Sequence, residues 1–185
     1  TPDWIRDPDR CDPSIAFGRF KLDLPEGPML QRPFGGNLAI ARSLFLKYRY
    51  NEKIGPSGTN YAQGNESELL GRLQQAEYRF IHVPSAKVEH VIRSDQVTLK
   101  WLFGRYYRYG RGRARQLYKR RKKQWWSSGW YRIQFFVRWL HYLSALFSQD
   151  YQRFLKSKRY FHYRGYLHET RVLAGEERET RRQAG

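Results

Sequence analysis

GNESELLGRLQQAEYRFIHVPSAKVEH, residues 64–90, is the stretch that decides the fold of this chain. Its first half has apolar residues at helical spacing and predicts a helix that begins at Asn65. The members of that stripe are Leu69, Leu70, Leu73 and Ala76. The second half predicts one strand at Tyr78–Val83, stopped by Pro84, and another at Ala86–Val91. A helix packed on a sheet is the economical arrangement for such a segment, so we expect an α/β fold.

The segment upstream of this stretch continues the same alternation. Phe34-Gly35-Gly36-Asn37 predicts a turn, Leu38–Ala41 a short strand, and Ser43–Tyr48 a brief helix. Residues 51–64 contain further glycine and proline and are interpreted as a flexible loop that could close over a ligand. Residues 1–34 are rich in Pro, Asp and Gly without a sustained period, which predicts irregular structure.

The segment downstream of Thr98 is basic, aromatic and predicted to be helical. A long helical stretch runs to Trp126 with weak points at glycines, and a second runs from Trp130 to Phe147. The second is amphipathic on a helical wheel, with Gln134, Arg138, His141 and Ser148 on one side and Phe135, Phe136, Trp139, Tyr142, Leu143 and Leu146 on the other. No apolar stretch reaches the roughly 20 residues of a membrane-spanning helix. We therefore divide the chain into 1–97, 98–164 and a polar end at 165–185.

Charge is concentrated in one part of the chain. The net charge is +18, and residues 93–164 alone carry 19 Lys or Arg against 2 Asp or Glu. An excess of this kind indicates an anionic partner, either nucleic acid or acidic lipid headgroups. Cys11 is the only cysteine, which excludes an internal disulfide and a thiolate metal cluster and fits a reducing compartment.

Glu66 is the strongest candidate for chemistry. A carboxylate in the first turn of a helix, directly after a glycine-containing loop, is well placed to act as a general base on a substrate. Glu68 has a structural interpretation instead, because Asn65 with an acid three residues later is a capping box. Gly35 and Gly36 could let the backbone approach a ligand, although a tight turn explains them equally well.

The order of these motifs resembles family 2 glycosyltransferases of the GT-A fold over about residues 28–112. The shared features are Gly-Gly-Asn before an Ala-containing strand, a Gly-Pro loop, a Gly-acidic opening of a Leu-rich helix, a Tyr-Arg strand, Val-Pro-x-Ala and a closing Val-x-His. The family opens this helix with Gly-Glu-Asp, whose Asp is the general base. Here the triplet is Gly64-Asn65-Glu66, so the resemblance implies Glu66 as a base that is longer by one methylene. It also implies that Gly35, Gly36, Asn37 and Asn65 bind substrate.

The resemblance implies an inverting transfer of sugar from a nucleotide-sugar donor to a hydroxyl acceptor, which could be lipid-linked. The family uses Mg²⁺ or Mn²⁺, held by an Asp-x-Asp motif after an upstream apolar strand. Asp7-Pro8-Asp9 matches the letters but follows no such strand. The chain is therefore interpreted as the C-terminal part of a GT-A mixed sheet with packed helices and a helical tail, and the isolated chain is expected to be inactive. His90 resembles a histidine that approaches the metal, or is a half-buried strand residue.

The basic tail predicts peripheral binding to an anionic membrane, on the cytoplasmic face. The residues expected at the membrane surface are Lys119, Arg120, Arg121, Lys122, Lys123, Trp125, Trp126, Trp130 and Trp139, with Arg105, Arg108, Arg111, Arg113 and Arg115 as further cations. One alternative is a nucleic-acid-binding module, although no RNA- or DNA-binding signature is present and no nucleic acid is expected. Another is a catalytically inactive scaffold of glycosyltransferase descent.

Overall fold

A computed structural model describes residues 17, 22–56, 58, 61–121 and 127–183, without the side chains of 119–121, 127, 128 and 131. Helices dominate these residues, and two short strands form an antiparallel sheet. The elements are β1 (Gly27–Met29), α1 (Arg42–Lys47), α2 (Asn65–Gln75), β2 (Phe80–His82), a 3-10 turn (Ser94–Gln96), α3 (Leu99–Arg121), α4 (Ser127–Ala145) and α5 (Asp150–Gln183). We call residues 22–98 the strand unit and residues 99–183 the helical unit.

The strand unit is built on the predicted helix, now α2. Its buried residues are Leu69, Leu70 and Leu73, and Leu38, Ile40, Phe45, Tyr48, Tyr78 and Phe80 pack around them. β1 pairs with β2 so that Pro28 lies opposite Ile81. Alternation along β2 places Phe80 toward this core and exposes Ile81 on the other face. The leucine stripe therefore identifies the core correctly.

The start of α2 differs from the predicted capping box. Gly64 is the N-cap residue, with a φ of 113° that glycine adopts without steric cost, and no side chain caps the helix. Asn65 is the first helical residue. Glu68 instead accepts hydrogen bonds of 2.9 and 3.0 Å from Arg72, one turn further along the helix. The capping-box prediction is therefore wrong, and the orphan amides of the first turn have no side-chain acceptor at the N-cap position.

The strands were predicted less well than the helices. β2 is shorter than the predicted Tyr78–Val83, and neither Leu38–Ala41 nor Ala86–Val91 forms a strand. The structure has a strand, β1, inside the segment 1–34 that was expected to be irregular. The predicted helix Ser43–Tyr48 is confirmed as α1. In the described part of the chain, the expected mixed sheet thus reduces to two strands.

The helical unit is organised by α3 and α5, which run parallel. Phe103 stacks on Phe161, with ring centroids 4.4 Å apart, and further along both helices Arg111 pairs with Glu169. Arg111 and Glu169 are 58 positions apart, and so are Phe103 and Phe161. A constant offset of this kind arises only when two helices point the same way.

Glycines bring the two helices into backbone contact. A Cβ at Gly110 would overlap the carbonyl oxygen of His162, and a Cβ at Gly165 would overlap that of Tyr107. The glycines that looked like weak points of the helical stretch are therefore contact points, and α3 continues through them to Arg121.

A buried ion cluster fixes the same interface. Glu169 is fully buried and lies 2.5 Å from the Nε atoms of both Arg111 and Arg115. Arg111 donates a hydrogen bond to one oxygen, whereas Arg115 contacts the other as an ion pair without hydrogen-bond alignment. The carboxylate is balanced by two guanidinium groups, so its burial depends on both.

The helix α4 turns back between α3 and α5 and packs on α5. The ring of Tyr160 on α5 lies 5.5 Å from that of Phe135 and 4.7 Å from that of Tyr142. After a short turn, α5 continues unbroken to Gln183, so no break in secondary structure marks the boundary placed between 164 and 165. Among the described helices, none combines the length and apolar character needed to span a bilayer.

Candidate functional site

Glu66 lies where the Gly-Gly-Asn turn meets the start of α2. A Cβ added to Gly35 would lie 2.5 Å from Cγ and 2.6 Å from Cβ of Glu66, so the Glu66 side chain occupies space that only glycine leaves open. The turn is closed by a hydrogen bond of 3.4 Å from the amide of Asn37 to the carbonyl of Phe34. Two motifs that sequence analysis selected separately, about 30 residues apart, are thus in direct contact.

The other residues predicted to bind substrate have structural contacts of their own. Asn37 donates a hydrogen bond of 2.6 Å from its side-chain amide to the carbonyl of Ala86. Gly36 faces the ring of Phe34, and Asn65 packs against Gly55 in the preceding loop. Asn37 therefore joins the turn to the segment after β2, which is a structural role that the sequence did not indicate.

Two tyrosines lie within electrostatic range of the Glu66 carboxylate. Burial raises the pKa of Tyr50, and the negative charge of Glu66 raises it further. Burial also raises the pKa of Tyr109 on α3; Arg105 opposes this effect, and Glu66 adds to it. Both tyrosines thus keep their protons at neutral pH and remain possible hydrogen-bond donors near the carboxylate.

The helix α3 is tied to the loop that leads into α2. The amide of Gln63 donates a hydrogen bond of 3.1 Å to the carbonyl of Arg108, and Gln116 donates one of 3.2 Å to the carbonyl of Gly64. A Cβ at Gly112 would overlap the carbonyl oxygen of Gln63. The helical unit therefore fixes the backbone directly before Glu66.

Two arginines of α3 lie on this side of the site. The guanidinium of Arg108 sits over the ring of Tyr61 at 5.4 Å, and that of Arg105 lies 5.4 Å from the ring of Tyr109. The Nε atoms of both arginines, and Oε1 of Gln63, are buried without a hydrogen-bond partner in the described part of the chain. Buried donors without partners are costly, and at a binding site a ligand can satisfy them.

The sequence assigned these arginines to the membrane-facing tail, and that interpretation is wrong for several of them. Arg111 and Arg115 are buried against Glu169, while Arg105 and Arg108 pack on the rings of Tyr109 and Tyr61. Contacts with residues distant in the chain separate Arg108, Arg111 and Arg115 from solvated cations, and the spacing of basic residues does not contain that signal. Arg105 instead lies on the rings of Trp101 and Tyr109, each four residues away on α3.

The predicted metal ligand has less support. His90 is exposed after β2. Among the residues that the structure describes, no group of three His, Cys, Asp or Glu side chains is placed to hold a metal ion. The motif expected to hold Mg²⁺ or Mn²⁺ was placed upstream of the Gly-Gly-Asn turn, so these residues do not test it.

Most residues predicted at a membrane surface fall outside what the structure describes. This applies to Lys122, Lys123, Trp125 and Trp126, and to the side chains of Lys119, Arg120 and Arg121. Trp130 and Trp139 are described, and both are exposed on α4.

The arrangement as a whole can accept a proton and bind an anion at neighbouring positions. A carboxylate is held by a glycine turn, and two guanidinium groups with unsatisfied donors lie along the adjacent helix. Comparison of the chain with protein-family models, with curated proteins and with solved structures gave no match.

Proposed function

We propose that this chain carries the acceptor and general-base side of an inverting glycosyltransferase that uses a nucleotide-sugar donor at the membrane surface. The observation that carries the proposal is the contact between Gly35 and Glu66, because it brings together two of the motifs on which the resemblance to family 2 rests. The fold of the whole catalytic domain, a GT-A sheet, is part of the same proposal.

The chemistry assigns one step to Glu66. Its carboxylate takes the proton from the acceptor hydroxyl, whose oxygen attacks the anomeric carbon of the donor sugar. The bond between that carbon and the diphosphate oxygen breaks, and the nucleoside diphosphate leaves with the electron pair. Configuration at the anomeric carbon is inverted because a single displacement occurs.

Charge on the leaving group is matched by cations of α3. Arg105 and Arg108 have buried Nε donors without partners, and guanidinium groups bind phosphate oxygens in a bidentate manner. A divalent cation would further neutralise the diphosphate when bound.

Substitution of Glu66 tests the proposal. In the full-length natural protein, supplied with nucleotide sugars and Mn²⁺ or Mg²⁺, we expect Glu66→Gln to lower kcat by at least about 100-fold, the effect of removing a general base. The matched control is Glu68→Gln on the same turn, which removes a partly exposed ion pair with Arg72 and should change kcat by less than about threefold. Normal turnover by Glu66→Gln, with transfer detected in the parent protein, would exclude Glu66 as the base.

A further inference from the structure

The helix α4 exposes a row of large apolar side chains. Ile133, Phe136 and Leu140 are 57%, 55% and 46% exposed, and Phe147 lies just beyond the helix with its ring almost fully exposed. At about 100° per residue, the first three fall within an arc of about 60°. Three such residues on one arc, with Phe147 following them in the chain, form a coherent apolar surface rather than the scattered exposure that is normal for a soluble protein. We call these four residues the outer row.

The opposite side of α4 is already occupied. Phe135 and Tyr142 contact Tyr160 of α5, and Ala145 is fully buried. Arg138 and Gln134, which the helical wheel placed on a solvated polar side, are partly buried and bonded to each other at 3.4 Å. The structure therefore divides the apolar residues of α4 into a packed set and the outer row. The helical wheel did not predict this division.

Charge identifies what covers the outer row. α4 contains no acidic residue, Arg132 is exposed beside Ile133, and the preceding chain carries the run Lys119-Arg120-Arg121-Lys122-Lys123. A second copy of the chain would bring two strongly basic regions together, which is unfavourable. Nucleic acid offers phosphates and base faces, which suit cations and aromatic rings better than the aliphatic groups of Ile133 and Leu140.

We infer that the outer row is the surface by which this protein inserts into an anionic lipid bilayer, with α4 lying in the plane of the interface. A bilayer alone supplies both an apolar layer for the row and negative headgroups for the flanking cations. Exposed Trp130 and Trp139 then lie at the depth that tryptophan prefers. The inference deepens the proposed function by naming the membrane-contacting face, and it does not require that transfer occurs.

Vesicle binding tests the inference through a substitution that leaves charge unchanged. We expect Phe136→Gln/Leu140→Gln to bind vesicles of phosphatidylcholine with about 30% phosphatidylserine at least tenfold more weakly than the unsubstituted protein. The control is His141→Gln, an exposed residue of the same helix outside the row, which should bind as the unsubstituted protein does. Circular dichroism of both variants verifies that the helices are retained.

Several results would overturn the inference. Unchanged vesicle binding by the double variant would exclude the outer row, and a concentration-dependent dimer that the double variant loses would identify a second copy as the occupant. Salt-sensitive oligonucleotide binding that the double variant loses would indicate nucleic acid. Glu66→Gln should bind vesicles normally, so failure of the proposed transfer reaction and failure of this inference remain distinguishable.

Discussion

The strand unit and the helical unit differ in how closely their secondary-structure elements pack. In the strand unit, the sheet consists of two strands of three residues each. In the helical unit, by contrast, α3 and α5 meet at glycines and enclose a fully buried carboxylate. Glu66 belongs to the strand unit, but hydrogen bonds with α3 of the helical unit fix the backbone directly before it. The difference teaches that the strand unit supplies the carboxylate of the candidate site, whereas the helical unit holds it in place.

The largest expected effect is on the ion cluster of the helical unit. Glu169→Gln removes the buried negative charge that Arg111 and Arg115 share and leaves Arg115 only its ion pair with the partly exposed Glu176, which should lower the free energy of unfolding by about 3–5 kcal/mol. Glu179→Gln, an exposed residue of the same helix, is the control and should change it by less than about 0.5 kcal/mol. Urea denaturation followed by circular dichroism measures both. Equal midpoints would show that the rigidity of the helical unit does not depend on this cluster.

The junction between the units comes next. Gly112→Ala places a methyl group on the Gln63 carbonyl and should destabilise the protein by about 2–3 kcal/mol, while displacing the backbone before Glu66. Gly175→Ala is also within a helix but meets open space, so it should stabilise by about 0.5–1 kcal/mol. Thermal denaturation should therefore give shifts of opposite sign. If both variants were stabilised, the junction would not constrain the strand unit.

The smallest effect concerns pH. Burial lowers the pKa of His162 below its ordinary value near 6.5, and Arg113 lowers it further. Below that pH, His162 binds a proton in the unfolded chain but not in the folded chain. The free energy of unfolding therefore falls as the pH drops, by at most about 1.4 kcal/mol per pH unit. Above about pH 7 the residue is neutral in both states and contributes nothing. Urea midpoints at pH 7.5 and 5.5 should fall further for the natural protein than for His162→Gln, and equal falls would contradict this account.

The sequence predicted those parts of the fold whose signal is local. The leucine stripe of α2 repeats within 11 residues, so its period was sufficient. The segments 38–41 and 86–91 were predicted as strands from an equally local signal. A strand also requires a hydrogen-bonding neighbour, and in the described chain only β1 and β2 pair. β1 was missed because Pro28 at its centre is typical of turns.

The candidate site was predicted in the same uneven way. Glu66 and Gly35 were selected from local motifs, and their contact is consistent with that choice. Arg105 and Arg108 were assigned to the tail, because nothing in the spacing of basic residues tells a cation packed on an aromatic ring from one in solvent. For Arg108 the distinction depends on Tyr61, which reaches it only when α3 docks on the loop, whereas Tyr109 lies four residues after Arg105 on α3 itself.

The parallel pairing of α3 and α5 also determines how late in synthesis their contacts can form. The contacts of Phe103 with Phe161 and of Arg111 with Glu169 each join residues 58 positions apart, and α4 must be made before α5 can arrive. At roughly 5–20 residues per second, a ribosome needs about 3–12 s to add that length. During this delay α3 has already been synthesised, but Glu169, whose carboxylate pairs with Arg111 and Arg115, has not. Nascent chains should therefore depend on protection by chaperones in that interval, and completion of the site is a late event in synthesis.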